Sequence, residues 1–535
     1  RDSCSSVVAT RGGLPRPLLL RALRVEKQQA MPVAFEEPSP RGGAIARSAS
    51  QGPAPLQPSM TLHEAALRQA WTVQERVLRS ASTVRSVVRS ATDYVDQAVS
   101  GLEPELWTRN FHVMSICMGV SHAVVEDLLF AYTTIVYRGG MGFNCNSVVF
   151  GVWALTSMTI ASPVTARLGS KVAIVLGLAL YMCQYVAFVA CSAMPDVWQM
   201  HALAYGGAVF CGLGAGLVWT AEGAFFAQSA QRIASATGEP LSAKSSGLAA
   251  VFGFWSLGAE CLIKVGGFAL QEAGVGMTAT FAAALALALA STLAAAFGTL
   301  PVHAPAAVGS TDASNAAEPR RCGGGAGAVS LWLDARIWLL SFLTVGFALA
   351  VSFVNGIVST EFVKPQLGEK YVALLSAGIA LTGSALQGPL RCLAGKLGNG
   401  CNMVMASAVL ALMPSIAFAL DMRSLGWWLS VFYVLMGVVR AVWVSTNKAV
   451  LANHFPEPRT EAAFANMNMQ AALAACAGFF VERRMPLDGY LVLMGGAACM
   501  VAPGYVAACR LQGEGKVGTS DSASSGVGRE TRGAD

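Results

Sequence analysis

The sequence predicts an all-α membrane protein with about twelve transmembrane helices, arranged as two pseudo-symmetric six-helix halves. Apolar stretches of about twenty residues, the length that spans a bilayer core, recur from Trp107 to Arg510. Hydrophobic residues make up 54% of the chain and charged residues only 13%, whereas an average soluble chain is about a quarter charged. Landmarks of the first half also return in the second half, as a duplicated fold requires.

Twelve stretches are long and apolar enough to be helices that cross the membrane. We expect them at residues 111–131, 145–165, 172–193, 198–221, 247–269 and 278–300, and then at 335–358, 371–391, 402–421, 427–447, 463–482 and 488–509. The halves are therefore an N-terminal six-helix bundle over residues 108–300 and a C-terminal one over residues 335–510.

The N-terminal region precedes the first predicted helix. Because the sequence begins with Arg1, Met31 and Met60 are both candidate initiators. Residues 1–59 are rich in Ser, Pro, Gly and Arg, and we expect a disordered basic tail or sequence upstream of the true start. From Met60 to about Glu103 there is no proline, and apolar residues recur at helical spacing. Residues 60–107 are therefore predicted to form a cytosolic amphipathic helix, either on the lipid surface or packed on the bundle.

The linker and the C-terminal tail are polar or rich in small residues. Residues 301–334 predict a flexible cytosolic linker, and residues 511–535 a disordered tail. Basic residues are more frequent in the loops that face the cytosol, so we expect both termini to be cytosolic. The predicted inner loops hold Arg167, Lys171, Arg232, Lys244, Arg320, Arg321, Arg391, Lys396, Lys448 and Arg459. The membrane that holds the protein is either the plasma membrane or an endomembrane.

Several classes of site lack support in the sequence. The thirteen cysteines include no Cys-x-x-Cys pair beside histidines, so we expect no metal site. No Walker-type phosphate loop, Gly-x-Ser-x-Gly elbow or nucleophile–base constellation occurs, so we expect neither a cofactor nor an enzyme. Basic residues lie in tails and short loops without interleaved aromatics, which argues against a nucleic-acid partner.

Two short loops repeat in matching positions of the halves. Gly169 and Lys171 follow the second predicted helix, and Lys396 and Gly398 follow the eighth. One helix further on, the segment from Gly212 to Thr220 corresponds to the segment from Met436 to Trp443. Such a duplicated polytopic plan is typical of a secondary transporter.

Four segments carry a resemblance to known proteins. They run from Phe150 to Lys171, from Gly212 to Gly223, from Trp443 to Asn447 and from Glu461 to Asn466. The two-repeat plan resembles the major facilitator superfamily, and these segments resemble helices 2, 4, 10 and 11 of its uncoordinated-93 family. The segment beginning at Gly212 is the most specific, since the family usually reads Gly-x-Gly-Ala-Ala-x-x-Trp-Thr-x-Gln-Gly there.

Two departures from the family pattern change charge. Glu222 stands where the family usually has Gln, and Arg440 where many members have Asp. The resemblance implies two functions, which stay open. One is a transporter in the bilayer for a small solute or ion, with a role in ion homeostasis. The other is an accessory protein that regulates or escorts an ion channel or another membrane protein.

Ionisable and polar residues inside the predicted spans are the candidate functional residues. A charge at the centre of a spanning helix costs about 2.5–3.5 kcal/mol on insertion scales, so each calls for a partner or a cavity. The resemblance implies that helices 1, 4, 7 and 10 line a central cavity. The candidate cavity residues are His122, Glu126, Asp127, Glu222, Asn355, Arg440 and Asn447.

Their positions along the helices predict two layers. Glu260 and Lys264, four residues apart on helix 5, are expected to form an intramembrane ion pair, and Lys264 also to neutralise Glu126 or Asp127. These four residues and Asn355 lie toward the outer side, while Glu222 and Arg440 lie toward the inner side. We expect Glu222 and Arg440 to meet and close an inner gate. The alternatives are that Glu222 reaches cytosolic water and that Arg440 is only a structural partner.

Overall fold

The computed structural model describes residues 104–131, 141–194, 198–302, 326–456, 459–482 and 484–524. The predicted tail over residues 1–59 and nearly all of the predicted amphipathic helix over residues 60–107 lie outside the described residues. All regular secondary structure in the described part of the chain is helical, which confirms the all-α fold.

The described residues of the first half form six helices. They are α1 (Pro104–Ala131), α2 (Met141–Thr156, a π-helical turn at Ser157–Ala161, and Ser162–Leu168), α3 (Ser170–Ala193), α4 (Trp198–Thr237), α5 (Leu241–Glu272) and α6 (Met277–Gly298).

Where the structure describes the second half, it contains six more helices, of which α7 and α10 include π-helical segments. They are α7 (Ala335–Leu339, Ser341–Ser352, π-helical Phe353–Val363, and Lys364–Leu367), α8 (Glu369–Ala385 and Gln387–Leu397), α9 (Asn399–Ala419), α10 (a 3-10 turn at Gly426–Leu429, Ser430–Val442, π-helical Trp443–Asn447, and Lys448–His454), α11 (Thr460–Val481) and α12 (Leu487–Ser524).

Among the described residues, 11 helices, α2 to α12, are long and apolar enough to cross a bilayer. This confirms a multi-pass integral membrane protein. The helix outside this group is α1, which has sufficient length but carries Glu105, Arg109, Glu126 and Asp127. Its charged residues lower its mean hydropathy. Because charges inside a bundle need partners, the contacts of α1 also bear on the site.

Contacts between helix ends define the two ends of the bundle. We call end A the end at which α1 begins. There, the guanidinium carbon of Arg232 on α4 lies 4.0 Å from the ring centre of Trp107 on α1, and Oγ of Ser245 on α5 donates to Oδ1 of Asn453 on α10. At the opposite end, end B, Lys370 at the start of α8 lies 3.2 Å from Glu272 at the end of α5.

The glycine run from Gly212 to Gly216 brings α4 close to two neighbours. A Cβ on Gly212 would lie 2.6 Å from the carbonyl oxygen of Val149 on α2, and a Cβ on Gly214 would lie 2.7 Å from that of Gly177 on α3. Only glycine permits this approach, because small residues let helix backbones pack closely. The run is therefore a packing motif of α4.

The two halves meet along α5–α8 and along α2–α11. Oγ of Ser384 on α8 donates to the carbonyl oxygen of Phe254 on α5 over 3.1 Å. On the other side, the rings of Phe150 on α2 and Phe479 on α11 stack with centroids 5.7 Å apart. These seams hold α10 of the second half against the first half.

The repeated loops have matching backbone geometry. Gly169 and Gly398 have φ angles of 83° and 79°, and each N–H bonds to the carbonyl oxygen four residues earlier, at Thr165 and Ala394. Glycine adopts a positive φ without the steric cost that a Cβ brings. Lys171 donates from Nζ to the carbonyl oxygen of Thr299 over 2.6 Å, which ties the first of these loops to the end of α6.

Part of the segment expected to be a flexible linker is structured. A short helix, Ala326–Ser330, and a 3-10 turn, Leu331–Leu333, precede α7. Asn466 on α11 holds them, since its Oδ1 accepts from Nε1 of Trp332 and its Nδ2 donates to the carbonyl oxygen of Ala328. Likewise, α12 continues to Ser524, into the segment expected to be a disordered tail, which contains no proline to end it.

Asp334 caps α7 at end A. Its Oδ1 accepts from the backbone N–H of Arg336, and its carboxylate also binds the side chains of Arg336 and Arg459. The hydrogen bond from the Arg336 side chain is the main reason that the pKa of Asp334 falls to about 2. The carboxylate therefore stays ionised at neutral pH and fixes the start of the second half.

We predict that Gly223→Ala destabilises the bundle. A Cβ on Gly223 of α4 would overlap the buried ring of Phe464 on α11, between the halves. Overpacking costs about 1–3 kcal/mol, which exceeds the gain of about 1 kcal/mol from replacing a helical glycine. Thermal unfolding in detergent measures the effect. The matched control is Gly266→Ala on α5, where a Cβ meets nothing within 4 Å; equal stability of the two variants would contradict this packing.

Candidate functional site: a buried charge network between the halves

Arg440 lies in the middle of α10 and forms a two-pronged ion pair with Glu260 on α5. Nη2 of Arg440 lies 2.6 Å from Oε2 of Glu260, and Nη1 donates to Oε1 over 2.8 Å. Both side chains are buried, at 9% and 2% exposure. A planar guanidinium matches a carboxylate in this bidentate geometry, which gives one of the stronger pairings available to side chains. This pair joins the second half to the first.

The network continues onto α1 through Glu126 and His122. Oε1 of Glu126 lies 3.6 Å from Nη2 of Arg440 and 3.3 Å from Nε2 of His122, one helical turn earlier. Glu126 is more exposed than Glu260, at 23% of its side chain. Arg440 is thus flanked by two carboxylates of the first half, one tightly held and one more loosely held.

Lys264 completes the network on the other side of Glu260. Its Nζ donates to Oε1 of Glu260 over 2.6 Å and to Oγ of Ser376 on α8 over 2.8 Å. One carboxylate therefore serves two cations. The two carboxylates, Glu126 and Glu260, are matched in number by the two cations, Lys264 and Arg440, which lowers the cost of burying them together.

A second ion pair lies nearer end A. Nζ of Lys448 on α10 is 2.6 Å from Oε2 of Glu222 on α4, and the two side chains are only 1% and 4% exposed. The same ammonium lies 3.8 Å from the ring centre of Phe252 on α5 and 4.9 Å from that of Trp219 on α4. We call Glu222, Trp219 and Phe252 the aromatic box. Cation–π attraction adds to the ion pair because both rings are desolvated.

The π-helical turn of α10 explains how both cations face the first half. Arg440 and Lys448 are eight residues apart, which is about 12 Å of helix rise and about 80° of rotation in a regular α-helix. The turn Trp443–Asn447 lies between them. A π-helical turn inserts about one extra residue, or about 100°, and so returns Lys448 to within about 20° of the face of Arg440.

Aromatic contacts connect the two layers. The ring of Trp219 meets that of His122 edge-on, with centroids 4.6 Å apart, and lies 6.4 Å from the ring of Trp443. Trp443 in turn stacks on Phe347 of α7 at 4.4 Å. The two tryptophans at corresponding positions of the halves therefore fill the centre of the bundle.

Near end A, the halves close on a small polar cavity. Its volume is about 10 Å³, and its lining includes Ser246 of α5, Arg391 of α8, Asn399 of α9 and Thr446 of α10. This is about the volume that one water molecule needs. A Cβ on Gly247 of α5 would lie 3.5 Å from Nη2 of Arg391 on α8, so the two halves are in contact beside this cavity.

Comparison with solved structures gives the fold a name. The proton:xylose symporter XylE, bound to 6-bromo-6-deoxy-D-glucose, superposes with a TM-score of 0.54 at 13% identity, over 77% of this chain and 95% of that chain. A variant of the E. coli fucose:proton symporter FucP gives 0.51 at 11% identity, over 75% and 98%. This chain has the major facilitator fold. No protein-family model and no curated protein matches the sequence.

One ion pair predicted from the sequence is wrong. Glu222 was expected to pair with Arg440, but Glu222 pairs with Lys448 and Arg440 pairs with Glu260. The layer assigned to Arg440 is wrong for the same reason. The sequence prediction ended α10 at residue 447, whereas the helix continues to His454, which places Arg440 midway along it.

Lys448 is a candidate site residue that the sequence analysis missed, because it was assigned to an inner loop. It is buried inside α10. A signal was present: Ala449, Val450, Leu451 and Ala452 continue the apolar pattern beyond the lysine, and a charge followed by another apolar turn indicates a longer helix. The predicted access of Glu222 to water is also wrong, since its side chain is 4% exposed.

Three further candidates take no direct part in the ion pairs that join the halves, although the charges of Lys264 and Glu260 act on Asp127. Asn447 donates from Nδ2 to Oγ1 of Thr344 on α7 over 3.3 Å and so joins helices of the second half. Asn355 lies in the π-helical part of α7, where its buried Oδ1 has no hydrogen-bond partner among the described residues. Asp127 faces α5, where a Cβ on Gly267 would lie 3.7 Å from its Oδ2.

We predict that neutralising the two carboxylates around Arg440 has unequal effects. Glu260→Gln leaves Arg440 and Lys264 without their shared, fully buried partner, so it lowers the free energy of unfolding by about 3–5 kcal/mol. Glu126→Gln, at a longer and more exposed contact, costs about 1 kcal/mol. Equilibrium unfolding in detergent gives both values. Glu272→Gln, in the exposed pair with Lys370, is the matched control and has no measurable effect. Equal losses at Glu260 and Glu272 would contradict the network.

Proposed function

We propose that this chain is a secondary transporter that moves a small solute by alternating access, with its two halves rocking about the centre of the bundle. The observation that carries the proposal is the bidentate pair between Arg440 of the second half and Glu260 of the first. Ionisable residues inside membrane spans are costly and mark substrate or ion pathways. Apolar side chains would stabilise a purely structural contact between the halves equally well.

The geometry around Arg440 supports coupling of solute movement to protons. Glu126 lies between His122 and Arg440, at 3.3 Å and 3.6 Å. When α10 moves Arg440 away from Glu126, the carboxylate on α1 is left without its cation, and a proton can then neutralise it. Proton uptake on α1 is thereby coupled to separation of the halves, while Lys264 keeps Glu260 paired. The two structural relatives with this fold are described as proton symporters, which agrees with this proposal.

Several further features remain proposals that rest on the sequence. We propose that the chain is of the uncoordinated-93 type, because the run beginning at Gly212 that resembles this family forms the close contacts of α4. We also propose that end A and both termini face the cytosol. Arg391, Lys396 and Arg459 at end A support this orientation, since cytosolic loops carry an excess of basic residues.

The test is solute-driven proton movement in proteoliposomes that contain a trapped pH dye. We expect at least one member of a panel of xylose, fucose, amino acids and small ammonium ions, added outside, to acidify the lumen. The Arg440→Met variant loses this signal by at least about tenfold, because the pair that α10 breaks and remakes is gone. Glu272→Gln retains it, since that exposed pair lies outside the network.

A readout that needs no substrate accompanies this test. Between pH 8 and pH 6, the protection of amides against hydrogen exchange, corrected for the intrinsic pH dependence of the exchange rate, is expected to change in opposite directions at the two ends of α5, residues 241–252 and 260–272, as one end opens and the other closes. A folded protein with no proton signal for any solute, and with corrected protection at both ends unaffected by pH, would contradict the proposal. That result would favour the accessory role.

A further inference from the structure

The aromatic box holds the ammonium of Lys448 with groups that all belong to the first half. Glu222 and Trp219 lie one turn apart on α4, and Phe252 lies on α5, with its ring 6.2 Å from that of Trp219 in an edge-on arrangement. The ammonium itself comes from α10 of the second half. The binding groups and their occupant are therefore on opposite sides of the seam that rocking would open.

The box is built as a cation site, not merely as one half of a salt bridge. An exposed ion pair needs only two charges, but here a carboxylate oxygen at 2.6 Å is joined by ring centres at 3.8 Å and 4.9 Å from the same nitrogen. A carboxylate beside aromatic faces is the arrangement that recognises ammonium ligands. The second oxygen, Oε1 of Glu222, is buried without a hydrogen-bond partner among the described residues, and so can accept from a ligand.

Opening at end A changes the charge balance of the box. If α10 moves with the second half, Lys448 leaves, while Glu222, Trp219 and Phe252 remain together. An uncompensated carboxylate in so apolar a place is costly, so a cation from solution becomes its favoured partner. When α10 returns, Lys448 competes for the same oxygen and the same rings.

We infer that the aromatic box is the binding site for a small organic cation, an alkylammonium, and that Lys448 is a tethered occupant which fills the site when the halves close. The inference rests on the proposed function for the motion of the halves, and it specifies the class of the solute. Closure onto Lys448 expels the bound cation, so that the empty box is never left with an unpaired carboxylate.

The experiment removes the tethered occupant and supplies its missing atoms in solution. Lys448→Ala deletes the atoms of a propylammonium group, so n-propylammonium is the matched probe and 1-propanol its neutral control. We expect n-propylammonium at millimolar concentration to raise the Tm of purified Lys448→Ala by at least about 2 °C more than that of the unsubstituted protein. We expect 1-propanol to have no such effect, and Glu222→Gln in the Lys448→Ala background to abolish the rise.

Two results would overturn the site. One is an equal rise with 1-propanol, and the other is an equal rise with and without Glu222. If Lys448→Ala is recovered only as aggregate, the yield of monodisperse protein extracted in the presence of each compound provides the same comparison. A yield restored by n-propylammonium alone supports the box, and a yield restored by neither compound, or by both equally, overturns it.

The outcome is separable from that of the proposed function. The Tm measurement reports binding and requires no transport. A rise in Tm without any proton signal in proteoliposomes would keep the cation site and reject the transporter. A proton signal without a rise in Tm would keep the transporter and reject the cation site.

Discussion

The charge of Arg440 is the constraint on which the arrangement of the helices depends. A guanidinium in the middle of an apolar bundle is tolerated only with a counter-charge in good geometry, and that counter-charge, Glu260, belongs to the other half of the chain. The halves must therefore meet along α5 and α10. Glu260 in turn has to serve Lys264, and Glu126 with His122 supports the exposed side of Arg440. One buried cation thus organises residues from three helices, α1, α5 and α10.

The remaining features of the seam keep the helices close enough for this pairing. Glycines on α4 allow it to approach α2, α3 and α11 more closely than any other residue would permit. The π-helical turn of α10 directs both Arg440 and Lys448 at the first half. The result is two layers of charge, about 10 Å apart along α10, because the residue inserted by the π-helical turn adds little rise. They differ in kind: the layer nearer end B is a network of carboxylates, and the layer nearer end A is a single carboxylate in an aromatic box.

Much of the fold was predictable from the sequence, and much of the site was not. Apolar length and the repeated loops at Gly169 and Gly398 were sufficient for twelve helices in two halves, because these signals are local. The partner of Arg440 depends on how α5 and α10 are aligned along their lengths. Because the predicted α10 ended seven residues too early, Arg440 was placed at the wrong depth relative to Glu260. Lys448 was assigned to a loop. Its partners Glu222 and Phe252 are distant in sequence, so its burial becomes visible only in the folded chain.

The most direct test of the account is a double-mutant cycle for the pair on which it depends. The free energy of unfolding would be measured in detergent for the unsubstituted protein, Arg440→Met, Glu260→Gln and the double variant. We expect the two single substitutions to be non-additive, with a coupling free energy of at least about 1.5 kcal/mol, as for buried pairs in contact. Additivity within about 0.5 kcal/mol would show that the two side chains do not interact and would contradict the account.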